Sequence, residues 1–120
     1  MVDNEKARRK ELILKLNGNF YCIEECELKL VGFDKILRAD VVAVSPSEDD
    51  AWILAFEVKE PTGRWELKNW TKALKQAGDY PNCIVTDKRA GHAVGKLVSA
   101  SLIFPGPDLL PWDHEPTFPK

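Results

Sequence analysis

Two apolar, β-branched segments joined by a short polar stretch constrain the fold of this chain most. Residues 36–44 read ILRADVVAV, residues 51–59 read AWILAFEVK, and the residues between them read SPSEDD. β-Branched and aromatic residues favour strands, and a cluster of Ser, Pro and Asp favours a chain reversal. We therefore predict a β-hairpin whose two strands are largely buried.

Three ionisable residues interrupt these apolar strands. Asp40 lies in the first strand, and Glu57 and Lys59 lie in the second. Side chains two positions apart on a strand share a face, so Glu57 and Lys59 point the same way while the intervening apolar residues point into the core. Burying a charge is costly unless something balances it, which indicates a metal or a substrate. The alternative is a cluster of cross-strand ion pairs.

Two carboxylates on neighbouring strands form a suitable ligand set for Mg²⁺, and Mn²⁺ is expected to substitute for it. Mg²⁺ prefers oxygen ligands and keeps several waters that a phosphate can displace. Such an ion activates a water as a nucleophile and neutralises charge on a phosphodiester. Lys59 adds a point charge that orients the water or stabilises the transition state.

The other elements are predicted from periodicity and from turn residues. They are helices at 3–16, 65–80 and 90–98, and strands at 20–30, 83–86 and 99–104. This order predicts an α/β fold, with a mixed sheet flanked by helices. Residues 1–104 are expected to form one domain, and the proline-rich residues 105–120 a C-terminal tail without periodicity.

Composition narrows the possible functions. The formal net charge is −2 over 120 residues, which excludes a polycation that coats nucleic acid non-specifically, so any nucleic-acid surface must be local. No segment approaches the roughly 20 apolar residues of a membrane span, and the first residues lack a signal-peptide core. We expect a cytoplasmic protein with no membrane contact. The odd number of cysteines, 3, fits reduced thiols.

The pattern D-x₁₆-E-x-K formed by Asp40, Glu57 and Lys59 resembles the PD-(D/E)XK nuclease superfamily. That superfamily contains restriction enzymes, Holliday-junction resolvases, RecB-type nuclease domains and small phage nucleases. Ala39 replaces the usual proline before the aspartate. The resemblance implies a restriction-endonuclease-like αβββαβ core, with Asp40, Glu57 and the Val58 carbonyl as metal ligands and Lys59 as the catalytic lysine.

A second part of the resemblance lies on the following predicted helix. Gln76 and Tyr80 form Q-x-x-x-Y, which resembles the third motif of RecB-type nucleases. Residues four apart on a helix are neighbours, so the two side chains can act together. The resemblance implies that Gln76 positions metal-bound water or DNA and that Tyr80 supports it. The alternative is that both residues are merely the edge of a helix core.

The family often adds a glutamate from the first helix to the metal site. Glu11 is the favoured candidate here, and Glu5 is the alternative; either is also consistent with a solvated helix charge. Two groups of cations are expected to contact DNA phosphates, although solvated helix faces would look the same. They are Arg8, Arg9 and Lys10 on the first helix, and Arg64, Lys68, Lys72 and Lys75 around the third motif.

Together these features predict a Mg²⁺-dependent deoxyribonuclease that hydrolyses phosphodiester bonds. The small size favours a structure-selective endonuclease of DNA repair, recombination or phage DNA processing over a restriction enzyme. A homodimer would supply two active sites for two strands. The alternative is a catalytically silent module on the same fold that binds nucleic acid or another protein.

Overall fold

The computed structural model describes residues 4–49, 51–58, 75 and 77–104. The regular elements are helix α1 (Asn4–Leu16) and strands β1 (Tyr21–Leu30), β2 (Ile36–Val44), β3 (Ile53–Val58), β4 (Cys83–Val85) and β5 (Ala100–Phe104). Short 3-10 helical segments occupy Tyr80–Asn82 and Lys88–Ala93. Within the described ranges, no helix has the length and apolar character needed to cross a membrane.

The five strands form one mixed sheet in the order β4-β1-β2-β3-β5. β1, β2 and β3 make an antiparallel meander, β4 joins the free edge of β1 in antiparallel orientation, and β5 runs parallel to β3. The predicted hairpin is confirmed: Ser45 N–H donates to the Trp52 carbonyl at 3.0 Å, which closes the turn between β2 and β3. The α/β fold with a mixed sheet is therefore confirmed.

Each face of the sheet carries its own apolar cluster. On one face, Leu12 of α1 packs with alternate residues of β2 and β3, namely Val41, Ala43, Phe56 and Val58. The opposite face carries a larger cluster that is covered by the segments after residue 76 and includes Leu28, Val42, Ala55 and Tyr80. A sheet covered on both faces explains why β2 and β3 are almost continuously apolar.

Along β1 and β2, the alternation of side chains between the two faces of the sheet shifts by one residue where Glu25 and Asp40 lie opposite each other. Register pairs are formed between Glu24 and Val41 and between Cys26 and Ala39, but the intervening pair is missing from the ladder. Glu25 has a φ of 49°, which is uncommon for a residue other than glycine. This paired distortion lets Asp40 reach towards α1 although Ala39 packs on the opposite face.

The predicted helix at 90–98 is wrong. Residues Lys88–Ala93 form a 3-10 segment broken at Gly91, where φ is 59°, and Gly95 has a φ of 87°. Glycine adopts positive φ readily and lowers helix stability by about 1 kcal/mol relative to alanine, so two glycines within five residues favour turns. A Cβ at Gly91 would also lie 3.3 Å from the Tyr21 hydroxyl oxygen.

The remaining predicted elements agree with the structure wherever it describes them. The helix at 3–16 and the strands at 20–30, 83–86 and 99–104 correspond to α1, β1, β4 and β5. Most of the predicted helix at 65–80, and the whole tail at 105–120, lie outside the described residues. The three cysteines are free thiols, as predicted.

Candidate functional site

Asp40 lies where the hydrogen-bonded ladder between β2 and β3 ends. Val41 and Phe56 form the last register pair, and beyond it the Asp40 carboxylate takes over the role of a main-chain acceptor. Its Oδ2 accepts a hydrogen bond from the Val58 N–H at 2.7 Å. The carboxylate is thereby held against the peptide that joins Glu57 to Val58.

Glu57 is the one charged residue that is buried among the described residues, with 5% of its surface exposed. It lies on the opposite face of β3 from Phe56 and Val58, as the alternation predicted. The Tyr80 hydroxyl donates to Glu57 Oε1 at 2.7 Å and lies 3.3 Å from the Arg38 carbonyl oxygen. The two core carboxylates therefore flank one peptide of β3, and Tyr80 reaches one of them.

The pKa of Tyr80 is raised strongly above its ordinary value. Burial contributes most, followed by the hydrogen bond to Glu57 and then by the negative charges of Glu57 and Asp40. All of these disfavour the phenolate. Tyr80 therefore remains a protonated donor that orients the Glu57 carboxylate throughout the neutral pH range.

Arg9 links α1 to this end of the sheet. Its guanidinium lies 3.7 Å from Asp40 Oδ1, and 3.8 Å from carboxylate oxygens of both Glu24 and Glu25. The side chain is only 17% exposed, and its Nε is buried without a hydrogen-bond partner in the described structure. Arg9 thus balances carboxylates beside the site, and a contact to DNA phosphate stays a prediction.

The first-helix glutamates differ in their position relative to Arg9. Glu11 Oε2 pairs with Arg8 Nη1 at 3.1 Å, and Glu11 is two residues from Arg9, so the two side chains leave the helix in different directions. Glu5 precedes Arg9 by four residues and shares its face. The helical phase therefore favours Glu5 over Glu11 as the acid nearest Asp40, and a metal contact by either one stays a prediction.

The other predicted site residues divide into described and undescribed positions. Lys59, Gln76, Arg64, Lys68 and Lys72 lie outside the described residues. Lys10 is exposed on α1, Arg8 is occupied by Glu11, and Lys75 is exposed beside Tyr80 and Arg38. The structure thus brings together Asp40, Glu57, Val58 and Tyr80 from the predicted set.

The donor set around the Glu57–Val58 peptide suits a hard divalent cation. Asp40 and Glu57 supply carboxylate oxygens from adjacent strands, and the Val58 carbonyl belongs to the residue that Asp40 contacts. Within the described ranges, no three His, Cys, Asp or Glu side chains converge as a metal-binding group. The donors that the described residues offer to a cation here are these two acids and a main-chain oxygen, and Mg²⁺ accepts such sparse protein coordination with water completing it.

Sequence reasoning missed the position of Arg9. On a helical projection Arg9 falls beside Leu12 and Leu16, in the stripe that faces the sheet, so a cation on a buried stripe was the available signal. The contacts of Arg9 with Glu24 and Glu25 had no signal in the sequence, because the phase change in β1 depends on its pairing with β2.

Comparisons with protein-family models, with curated proteins and with solved structures found no match.

Proposed function

We propose that this chain is a Mg²⁺-dependent deoxyribonuclease of the PD-(D/E)XK type, with a restriction-endonuclease-like core. The observation that carries the proposal is the hydrogen bond from Val58 N–H to Asp40, which brings two carboxylates of adjacent strands to one peptide. We further propose a structure-selective endonuclease of repair, recombination or phage DNA processing, with a homodimer as the form that cuts both strands.

Each described residue has a defined part in this proposal. Asp40 and Glu57 hold the cation with the Val58 carbonyl, and the cation when bound activates water and neutralises phosphodiester charge. Tyr80 is a positioning residue, because its hydroxyl fixes the rotamer of Glu57 through the 2.7 Å hydrogen bond. Lys59, two residues after Glu57 on the same strand pattern, is assigned to the water or to the developing charge.

Electrostatics support a cation at this place. A carboxylate as buried as Glu57 loses much of its hydration, and a bound cation offsets that cost. The nearest part of Arg9 is 3.7 Å from Asp40, longer than an ordinary charge-assisted hydrogen bond. A divalent cation between the two acids would offset the charge of both.

The test is cleavage of single-stranded, duplex, nicked and branched DNA in Mg²⁺, in Mn²⁺ and in chelator. Wild type is expected to cut at least one substrate in metal and none in chelator, while Lys59→Ala and Asp40→Asn lose roughly 100-fold or more of the rate. Asp49→Asn, in the exposed turn between β2 and β3, is the matched control and should cut like wild type. A folded wild type that cuts none of the substrates in either metal would overturn the proposal.

The second candidate is a catalytically silent module on the same fold that binds nucleic acid or protein. The favouring observation is that Asp40 and Glu57 are satisfied inside the protein, by Val58 N–H and Arg9 on one side and by Tyr80 on the other. This candidate predicts DNA or protein binding that Asp40→Asn leaves unchanged, with no cleavage by wild type.

A further inference from the structure

A cavity of about 440 Å³ opens where β2 begins, beside the segment that carries Tyr80. Three cations line it: Lys35 and Arg38 at the start of β2, and Lys75 from the segment before Tyr80. Asp79 is the one acid in the lining. We call this space the cationic cavity. Its volume falls within the range of small-ligand sites, roughly 300–1,000 Å³.

The charges of the cationic cavity are not paired within the described structure. None of the ion pairs among the described residues includes Lys35, Arg38 or Lys75. Like charges gathered in one concave space repel one another and raise the local potential for anions. An anionic ligand would remove that repulsion.

A neighbouring cavity of about 510 Å³ gives the contrast, because Arg38 lines both spaces. There the cations are matched by acids: Arg9 faces Glu24 and Glu25, and Arg89 pairs with Asp87 at 2.7 Å. Charge in that second cavity is already balanced by the protein. Of these two cavities, the cationic cavity alone has more cations than acids in its lining.

The cationic cavity also has an apolar wall and a direct link to the candidate site. Ile36 and Leu37 lie between its cations, and Ile36 is 54% exposed. Tyr80 lines the cavity and its hydroxyl donates to Glu57. A ligand would thus meet cations, an apolar surface and a ring whose far end contacts the buried carboxylate.

We infer that the cationic cavity is a nucleotide subsite, in which Lys35 and Arg38 bind a backbone phosphate of the nucleic-acid strand and the Ile36–Leu37 wall contacts the sugar or base. The inference rests on the proposed function for the choice of ligand. Lys35 and Arg38, which no motif identifies, contact phosphate, and the nucleic-acid strand lies on the Tyr80 side of Glu57.

The test measures binding of a fluorescein-labelled 12-nucleotide single strand in chelator, by anisotropy at several salt concentrations. Binding without metal separates this inference from catalysis. The variants are Lys35→Ala/Arg38→Ala and the charge-retaining Lys35→Arg/Arg38→Lys, and Lys88→Ala serves as the control because Lys88 is exposed and lines neither cavity. Lys35 and Arg38 are exposed, so their truncation should leave folding intact.

The double alanine variant is expected to bind at least about 10-fold more weakly at low salt. Its salt slope should fall by about 0.7, since one phosphate neutralised on a single strand contributes about 0.7 to the slope. The loss should be similar for different sequences, because phosphate contacts carry no base information. The charge-retaining variant should keep the wild-type slope, and Lys88→Ala should stay within about twofold of wild-type affinity.

Two results would overturn the inference: a double alanine variant that binds like Lys88→Ala, or one with an unchanged salt slope. Either result is compatible with metal-dependent cleavage, so the proposed function would stand. Conversely, loss of binding in the double alanine variant together with a wild type that cuts no DNA would support the subsite and reject hydrolysis. Competition by millimolar inorganic phosphate that equals competition by a mononucleotide would also overturn the nucleotide assignment, leaving a simple anion site.

Discussion

Asp40 and Glu57 lie on adjacent strands, yet the protein surrounds their charges differently. Asp40 keeps 21% of its side chain exposed, accepts from a main-chain N–H and has a guanidinium 3.7 Å away. Glu57 is 5% exposed and accepts from the neutral hydroxyl of Tyr80. The first carboxylate is part of a charged network with α1, while the second is inserted into an apolar cluster.

This difference concerns what each carboxylate contributes to the fold. The Asp40 carboxylate takes the place of a main-chain acceptor in the sheet, so its removal leaves the Val58 N–H without an acceptor. The Glu57 carboxylate terminates no ladder, and an apolar residue of similar size would fit among its neighbours more easily. Under the proposed function, the burial of Glu57 serves the cation that it binds.

The largest expected effect is on activity, in Glu57→Gln. The amide oxygen can still accept from Tyr80, so folding is retained while the charge that holds the cation is lost. We expect kcat/KM for DNA cleavage to fall by about 100- to 1,000-fold. Glu48→Gln, in the exposed turn after β2, is the control and should be unchanged. Cleavage within tenfold of wild type would mean that Glu57 is structural.

Tyr80→Phe should have the next largest effect, on stability. It removes a hydrogen bond to a buried carboxylate, for which a loss of about 1.5–3 kcal/mol in the free energy of unfolding is expected. Urea denaturation measures the loss. Tyr21→Phe gives a comparison at the other phenol, which donates to the Ala90 carbonyl, a neutral acceptor. If Tyr80→Phe loses less unfolding free energy than Tyr21→Phe, the hydrogen bond to the buried Glu57 carboxylate is not the stronger one, and the contrast drawn between Glu57 and Asp40 fails.

Asp40→Ala should destabilise more than Asp40→Asn. Alanine leaves the Val58 N–H without its acceptor, at a cost of about 1–3 kcal/mol, whereas the asparagine amide oxygen can replace the carboxylate oxygen. The two variants are compared by urea denaturation at pH 7. Equal stabilities would show that the hydrogen bond contributes little and that Asp40 is held by charge alone.

Alkaline pH should produce the smallest effect. The pKa of Tyr80 is raised by folding, so its contribution to stability is complete below the unfolded value of about 10 and is lost as pH rises above it. The stability advantage of wild type over Tyr80→Phe should shrink by about 1.4 kcal/mol per pH unit above about 10. If the difference in unfolding free energy between wild type and Tyr80→Phe stays constant from pH 9 to pH 11, the buried environment described for Tyr80 is contradicted.

Local pattern predicted the elements and the placement of the acids on them. Residue alternation was enough to place Glu57 on the face opposite Phe56 and Val58, and the helix of α1 followed from its apolar stripe. The pairing of strands that are distant in the sequence could not be predicted. The turn of Asp40 towards Arg9 depends on the phase change at Glu25, which only the pairing of β1 with β2 produces.

The helix expected at 90–98 failed for a different reason. Ala90, Ala93 and Val98 are buried while Val94 and Leu97 are exposed, and this spacing is set by two positive-φ glycines instead of a helix. The cations of the cationic cavity come from separate elements, Lys35 and Arg38 on one side and Lys75 on the other. Only the fold brings them together: Lys75 was predicted from its place beside the third motif, but no motif identifies Lys35 or Arg38.

Binding of Mn²⁺ measured by isothermal titration tests the central claim most directly, because it does not require the correct DNA substrate. The account predicts one Mn²⁺ per chain for wild type and for the control Asp49→Asn. It predicts affinity at least about tenfold weaker in Asp40→Asn and in Glu57→Gln, each of which loses one charged ligand. Mn²⁺ binding that is absent from the folded wild type, or that both ligand variants retain unchanged, would contradict a metal site at Asp40 and Glu57.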